Sequence, residues 1–224
     1  MTPDIEVVRN ARARRARLSV DPASGRVRLT LPARAAVSRY RDWVEQHRDW
    51  IAAQQAKLPQ PRPFAAGGTV PLCGDLLTID WSEAHPRSVR REGDRLVVGG
   101  PLDGLARRVE AWLKREAKRV LALETVEYAA RAEVSVEAVT IGDPRSRWGS
   151  CTSRGRIRYS WRLILAPAHV RRSTVAHEVA HRVHMHHGPT FHALADAIFE
   201  GSHAEARRWL RANGAALHWV GREA

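Results

Sequence analysis

Apolar and polar positions change period several times along the 224-residue chain, and each change marks an element. Val37, Tyr40, Val44, His47 and Ile51 recur at helical spacing, with Trp43 and Trp50 on an adjoining stripe. They predict an amphipathic helix over about 36–57, with His47 as a half-buried core residue. Upstream, Pro22-Ala-Ser-Gly25 is turn chemistry between two short strands, at about 15–20 and 26–31. Proline and a Gly-Gly pair make 58–71 a linker or an extended crossing. Short strands follow at Leu76–Trp81, Ser88–Arg91 and Arg95–Val98, closed by Gly99-Gly100-Pro101. A long helix is expected over 105–132, burying Val109, Trp112, Leu113, Val120, Leu121 and Tyr128.

Two more strands are predicted at Val136–Ile141 and Ile157–Leu165. In the second, Arg154, Arg156, Arg158 and Arg162 alternate with Ile157, Tyr159, Trp161 and Leu163, the period of a half-buried strand. It is expected to be an exposed sheet edge. Such an edge can pair with an extended peptide, and its arginines can equally protect it from aggregation. The pattern as a whole reads as α+β, with an N-terminal β-hairpin, helix and β subdomain over 1–104 and a second domain over 105–224.

Composition narrows the classes. Apolar residues make up 44% and charged residues 27%, the balance of a globular chain rather than a disordered or collagen-like one. No apolar run reaches the roughly 18 residues of a membrane helix, so no membrane partner is expected. Met1–Asn10 is mixed and charged, so no secretory leader is expected. Two cysteines, Cys73 and Cys151, are too few for a disulfide framework and point to a reduced, cytoplasmic protein. Charge is the unusual quantity: 37 basic against 24 acidic residues give a net charge of +13. The excess is regional. Residues 1–62 and 105–224 are strongly basic and 63–104 slightly acidic. A positive field favours polyanions, which makes nucleic acid a candidate partner beside simple solvated surface.

The chemistry centres on His177-Glu178-Val179-Ala180-His181, inside an apolar stretch. Histidines at i and i+4 share one helical face and can converge on one metal ion. A Glu beside the first can act as general base on water activated by that ion. A catalytic zinc site takes a third protein ligand and leaves a position open. His187 ranks first, because Gly188-Pro189 lets the chain turn back. Glu200, on a helix expected over 190–200, ranks second. His184 ranks third: on a continuous helix it would stand about 10 Å along the axis from His177. His186 and His192 are read as outlying groups. A structural metal would need a fourth ligand, from Cys151 or His192. Gly149 and Gly155 are read as tight turns, and Cys151 as a buried thiol. Arg147, Tyr159 and His184 are the candidate donors to a developing oxyanion.

Ser146-Arg-Trp-Gly-Ser-Cys-Thr-Ser-Arg-Gly, Trp161-Arg-Leu-Ile-Leu-Ala-Pro, His177-Glu-Val-Ala-His and His187-Gly-Pro-Thr-Phe191 together resemble the YgjP-like family of zinc metallopeptidases. The likeness extends to the opening hairpin, to His47-Arg-Asp-Trp-Ile51 and to Trp112-Leu-Lys-Arg-Glu-Ala117, and so covers most of the chain. It implies a zincin-like metallopeptidase core over 105–224 behind an N-terminal β-rich segment and helix. It also implies one Zn2+ on His177, His181 and His187, Glu178 as general acid/base, and peptide or protein substrates. The family is similar in its core to the SprT-like and Spartan proteases, which are associated with digesting proteins crosslinked to DNA. A DNA-associated protease and a non-catalytic zinc-stabilised binding module remain as alternative readings. Three positions depart from the family pattern: Ser173-Thr174 where an aromatic residue is common, His192 where Trp is common, and Phe199-Glu-Gly-Ser without the usual proline.

Overall fold

Asp21 organises the first turn. Its Oδ1 accepts from the Ala23 N–H at 3.0 Å and its carbonyl from the Gly25 N–H at 2.7 Å, while Gly25 takes a φ of +74°. The computed structural model describes residues 5–223. Residues 1–4, part of the segment read as carrying no leader, lie outside them. Strand β1 is Ile5–Asn10, β2 is Arg17–Val20 and β3 is Val27–Pro32. β2 and β3 form the expected antiparallel hairpin, and β1 adds to β3 in parallel, giving the order β1-β3-β2.

The helix expected over 36–57 is broken. A short 3-10 turn at Val37–Tyr40 leads into α1 (Arg41–Gln46) and α2 (Arg48–Gln55). The break falls at His47 for a local reason. Its Nδ1 bonds the Trp43 carbonyl at 2.8 Å, the acceptor its own N–H would use in an α-helix, and that N–H goes to Val44 instead. Val44 and Ile51 still bury against Val27, Leu29 and Leu31, as one apolar face should.

The chain forms two compact units, one ending at Gln60 and one starting at Pro61. The sequence places a division at 104 instead. Physically, β4 (Thr69–Leu72), β5 (Asp75–Trp81), β6 (Arg90–Glu92) and β7 (Arg95–Val98) form a sheet ordered β4-β5-β7-β6. Its inward residues Leu77, Ile79, Leu96 and Val98 share one core with Val109, Leu113 and Leu121 of α3 (Leu105–Arg131). Arg62 also pairs with Val220, closing the second unit's start onto its end. In α3 the buried stripe is Val109, Leu113, Leu121 and Tyr128, with Trp112 and Val120 half-buried at its border.

A second sheet, β8 (Ala138–Gly142), β9 (Gly149–Cys151) and β10 (Arg156–Ser160), has the order β8-β10-β9. β10 is therefore central, and the expectation of an exposed edge is corrected. β8 takes one side of it in parallel, and the edge beside the candidate site is β9. The strand is also shorter than expected, because Trp161–Leu165 coils into a 3-10 turn. Arg162, expected on the exposed face, is buried: it pairs with Asp143 and donates to the carbonyls of Leu217 and Val220. Helices α4 (Ala168–Ala180), α5 (Pro189–Ile198) and α6 (His203–Leu217) complete the α+β fold. Among the described residues, no helix is long and apolar enough to cross a membrane.

Candidate metal centre

Helix α4 is apolar on the side that faces the core: Val175, Ala176, Val179 and Ala180 are fully buried. That seating points His177 and His181 the same way, their ring centroids 4.9 Å apart. The helix stops at His181. The N–H groups of Val183 and His184 both turn back to the Ala180 carbonyl, so His184 leaves the helical face on which the sequence placed it. What His184 supplies is its carbonyl. It accepts from His181 Nδ1 at 2.9 Å, which puts the proton on Nδ1 and leaves Nε2 as a lone-pair donor. Pro189 then starts α5 and brings His187 back, with its Nε2 3.1 Å from that of His177.

His177, His181 and His187 each offer a ligand atom, all within 4.8 Å of one another. Two ligands on one tetrahedral zinc, at about 2.0–2.1 Å each, stand about 3.3 Å apart. The pair His177–His187 is already at that spacing, so the donor set fits such an ion. Phe191, fully buried, packs its ring against all three imidazoles at centroid distances of 4.9, 4.5 and 4.8 Å. Burial, then the neighbouring His181 and His187, push His177 down to about 3; burial also lowers His181. Both rings are therefore neutral at neutral pH, the state a metal ligand needs.

Glu178 is buried on the same helix. Burial pushes its carboxyl up to about 7, and Arg147 pulls weakly the other way. Among the described residues, no side chain donates a hydrogen bond to it. Space for it comes from Gly149 on β9: a Cβ there would lie 2.5 Å from Glu178 Oε1. The sequence reads Gly149 as a turn. Its actual role is to be absent where the carboxylate sits, a demand set by a residue on another element. Gly155 is the true turn, at a φ of +87°.

The other sequence candidates separate cleanly. Glu200 faces away into an ionic cluster, accepting from Tyr128 Oη at 2.8 Å and Arg131 Nη1 at 2.6 Å and pairing with Arg172. Burial alone would raise its carboxyl, but its own backbone N–H, Tyr128, Arg131 and Arg172 overcome that and hold it at about 2. Tyr159 is fully buried; its hydroxyl meets Thr125 Oγ1 at 3.1 Å, remote in role from any substrate. Arg147 does line the cleft beside Glu178. Cys151 lines the cleft as well, but the ligand cluster is the three histidines without it. His192 is exposed and outside that cluster.

The cleft has two lobes that share His177, Glu178 and Gly149. One, of about 270 Å³, holds the triad; the other, of about 260 Å³, reaches from Arg147 to Arg207. Ser173, one of the departures from the family pattern, lines the second lobe, and its Oγ meets His203 Nδ1 at 2.7 Å. His203 and Arg207 carry no signal in the sequence. They reach the cleft only because α6 folds back on α4.

Three imidazoles that could hold a metal ion thus stand beside a buried carboxylate, and comparison with known proteins puts the chain among the metallopeptidases. The profile of the YgjP-like metallopeptidase domain matches residues 14–213. The chain belongs to that family, and its substrates are accordingly peptides or proteins. Searches of the curated proteins and of the solved structures returned no match.

Proposed function

We propose that the chain is a zinc-dependent peptidase in which His177, His181 and His187 hold one Zn2+ and Glu178 is the general acid/base. The observation that supports it most is the convergence of the three imidazoles within 4.8 Å, with a buried, undonated carboxylate one residue away. Three protein ligands, not four, make up that group among the described residues, which suits an open catalytic site better than a closed structural one. When bound, zinc supplies Lewis acidity that activates water and polarises a carbonyl.

The chain's own groups do the rest. β9 is a sheet edge packed against α4, so an extended peptide can add to it by main-chain hydrogen bonds. That edge carries Gly149, and so brings the peptide's backbone beside Glu178. A carboxyl poised near 7 takes a proton from water and returns it to the leaving amine without a large mismatch in either direction. Arg147 is the remaining candidate donor to the oxyanion, since Tyr159 is turned into the core and His184 does not line either lobe of the cleft. Glu178→Gln tests the reading. Bound zinc should persist while cleavage of casein or a quenched peptide is lost; retained cleavage removes Glu178 from the mechanism.

A second reading concerns partners. Arg12, Arg14, Arg15 and Arg17 are exposed and form no ion pair among the described residues of the first unit. Together with the basic balance of 1–62, this favours a nucleic-acid partner for the first unit. DNA affinity at low salt that falls steeply as salt rises would support it. No affinity at low salt would end it.

A further inference from the structure

The lobe beyond Glu178 is built from an unusual combination. Trp148 and Leu210 give it apolar walls. Trp148 is fixed in place: a Cβ on Gly214 would lie 2.9 Å from its ring, and His218 packs on it at 5.3 Å. The polar groups at the base are already used. Ser173 Oγ and His203 Nδ1 bond each other, and His203 Nε2 meets the Ala195 carbonyl at 3.1 Å. Besides Glu178, two guanidinium groups remain without a side-chain partner among the described residues. Arg147 and Arg207 line the lobe, are exposed, and make no side-chain hydrogen bond or ion pair among the described residues.

Elsewhere in the second unit, arginines beside carboxylates use them: Arg131, Arg156, Arg162, Arg171 and Arg172 are each paired. Among the described residues, the only acidic one lining this lobe is Glu178. At about 260 Å³ the lobe is smaller than the roughly 300–1,000 Å³ of a whole small-molecule site and is sized for one side chain.

We propose that this lobe is a specificity subsite for a carboxylate-bearing residue next to the scissile bond, its stem lying on Trp148 and Leu210 and its carboxylate held by Arg147 and Arg207. The idea rests on the peptidase reading for the position of the scissile bond. Guanidinium–carboxylate contacts are charge-assisted and directional, so the neutral isostere loses most of the gain. A glutamate side chain offers the carboxylate on a suitable stem. A peptide's free C-terminus offers the same group.

The test measures binding of fluorescein-labelled peptides to the zinc-loaded Glu178→Gln chain by anisotropy. One pair, blocked at both ends, differs only as Glu or Gln at a single position. A second pair carries Gln there and differs as free acid or amide at the C-terminus. Tighter binding of the acid member of either pair, by about tenfold or more, is expected, and the pair that shows it identifies the source. Arg207→Gln should abolish the preference, and Arg207→Glu should reverse it in favour of a Lys peptide. Equal binding of acid and neutral members, a preference that survives Arg207→Glu, or no binding of any peptide overturns the proposal. A clear preference without cleavage by the unaltered zinc-loaded chain would count against the hydrolase reading and leave the subsite standing.

Discussion

Two carboxylates lie near opposite ends of α4, and their surroundings drive them apart. Glu200 accepts hydrogen bonds from Tyr128, Arg131 and Arg172 and is held at about 2. Glu178 accepts none from a described side chain and is pushed up by burial to about 7. The first is saturated with donors and fastens α3, α4 and the end of α5 together. The second is left free, on the same helix as His177 and His181. The comparison teaches that residue type and spacing nominate a carboxylate for catalysis, while the supply of donors around it decides whether it can move a proton.

The sharpest way to break that comparison is to remove the poised carboxylate. Glu178→Gln should cut peptide hydrolysis by about 100- to 10,000-fold, with zinc content measured by mass spectrometry unchanged. Next in size is the buried pair at the other end of α4, where Arg171 holds Glu124 through bonds of 2.8 and 3.0 Å, both side chains nearly buried. Glu124→Ala leaves a buried guanidinium unpaired and should cost about 3–5 kcal/mol, read by urea denaturation. Activity per folded molecule should survive, since this pair does not touch the cleft.

Gly149→Ala sharpens the comparison from the other side. It changes no charge and no ligand, yet its methyl occupies the space of Glu178 Oε1. Hydrolysis should fall by about tenfold or more, on the scale that a misplaced catalytic group costs, with zinc retained. Unchanged turnover would show that the carboxylate is not held where the geometry places it.

The smallest effect belongs to Glu200. Its folded-state carboxyl is depressed below the usual 4.5 to about 2. The stability it contributes is therefore complete above about pH 4.5 and is lost as pH falls toward 2. Because the side chain is about half exposed, solvent screens the contribution to about 1 kcal/mol or less. Glu200→Gln should be slightly less stable than the parent at pH 7 and equal to it near pH 2, measured by thermal melts across that range.

Much of this was legible in the sequence. The two helical histidines, Glu178 and the return of the chain at Gly188-Pro189 follow from local spacing and turn chemistry, and α3 follows from its 3.6-residue period. What escaped was set by partners far along the chain. β10 became central because β8 pairs with it in parallel, which no local pattern announces. Arg162 continues the alternation of exposed arginines, yet carbonyls 55 and 58 residues away draw it inside. β1 was missed because its alternation is blurred by exposed Glu6 and Arg9. The helix break at His47 turned on a ring nitrogen competing for one carbonyl. Gly99-Gly100-Pro101 suggests a division near 104, while the strands before it and the helix after it bury the same core.

The central claim is that three imidazoles gather one divalent ion, and X-ray absorption at the zinc edge of the purified, zinc-loaded chain tests it most directly. The account predicts one zinc per chain with nitrogen and oxygen neighbours only, at about 2.0–2.1 Å, and loss of that signature in His187→Ala. A sulfur neighbour at about 2.3 Å, placing Cys151 or Cys73 on the metal, or a zinc environment unchanged in His187→Ala, would contradict it.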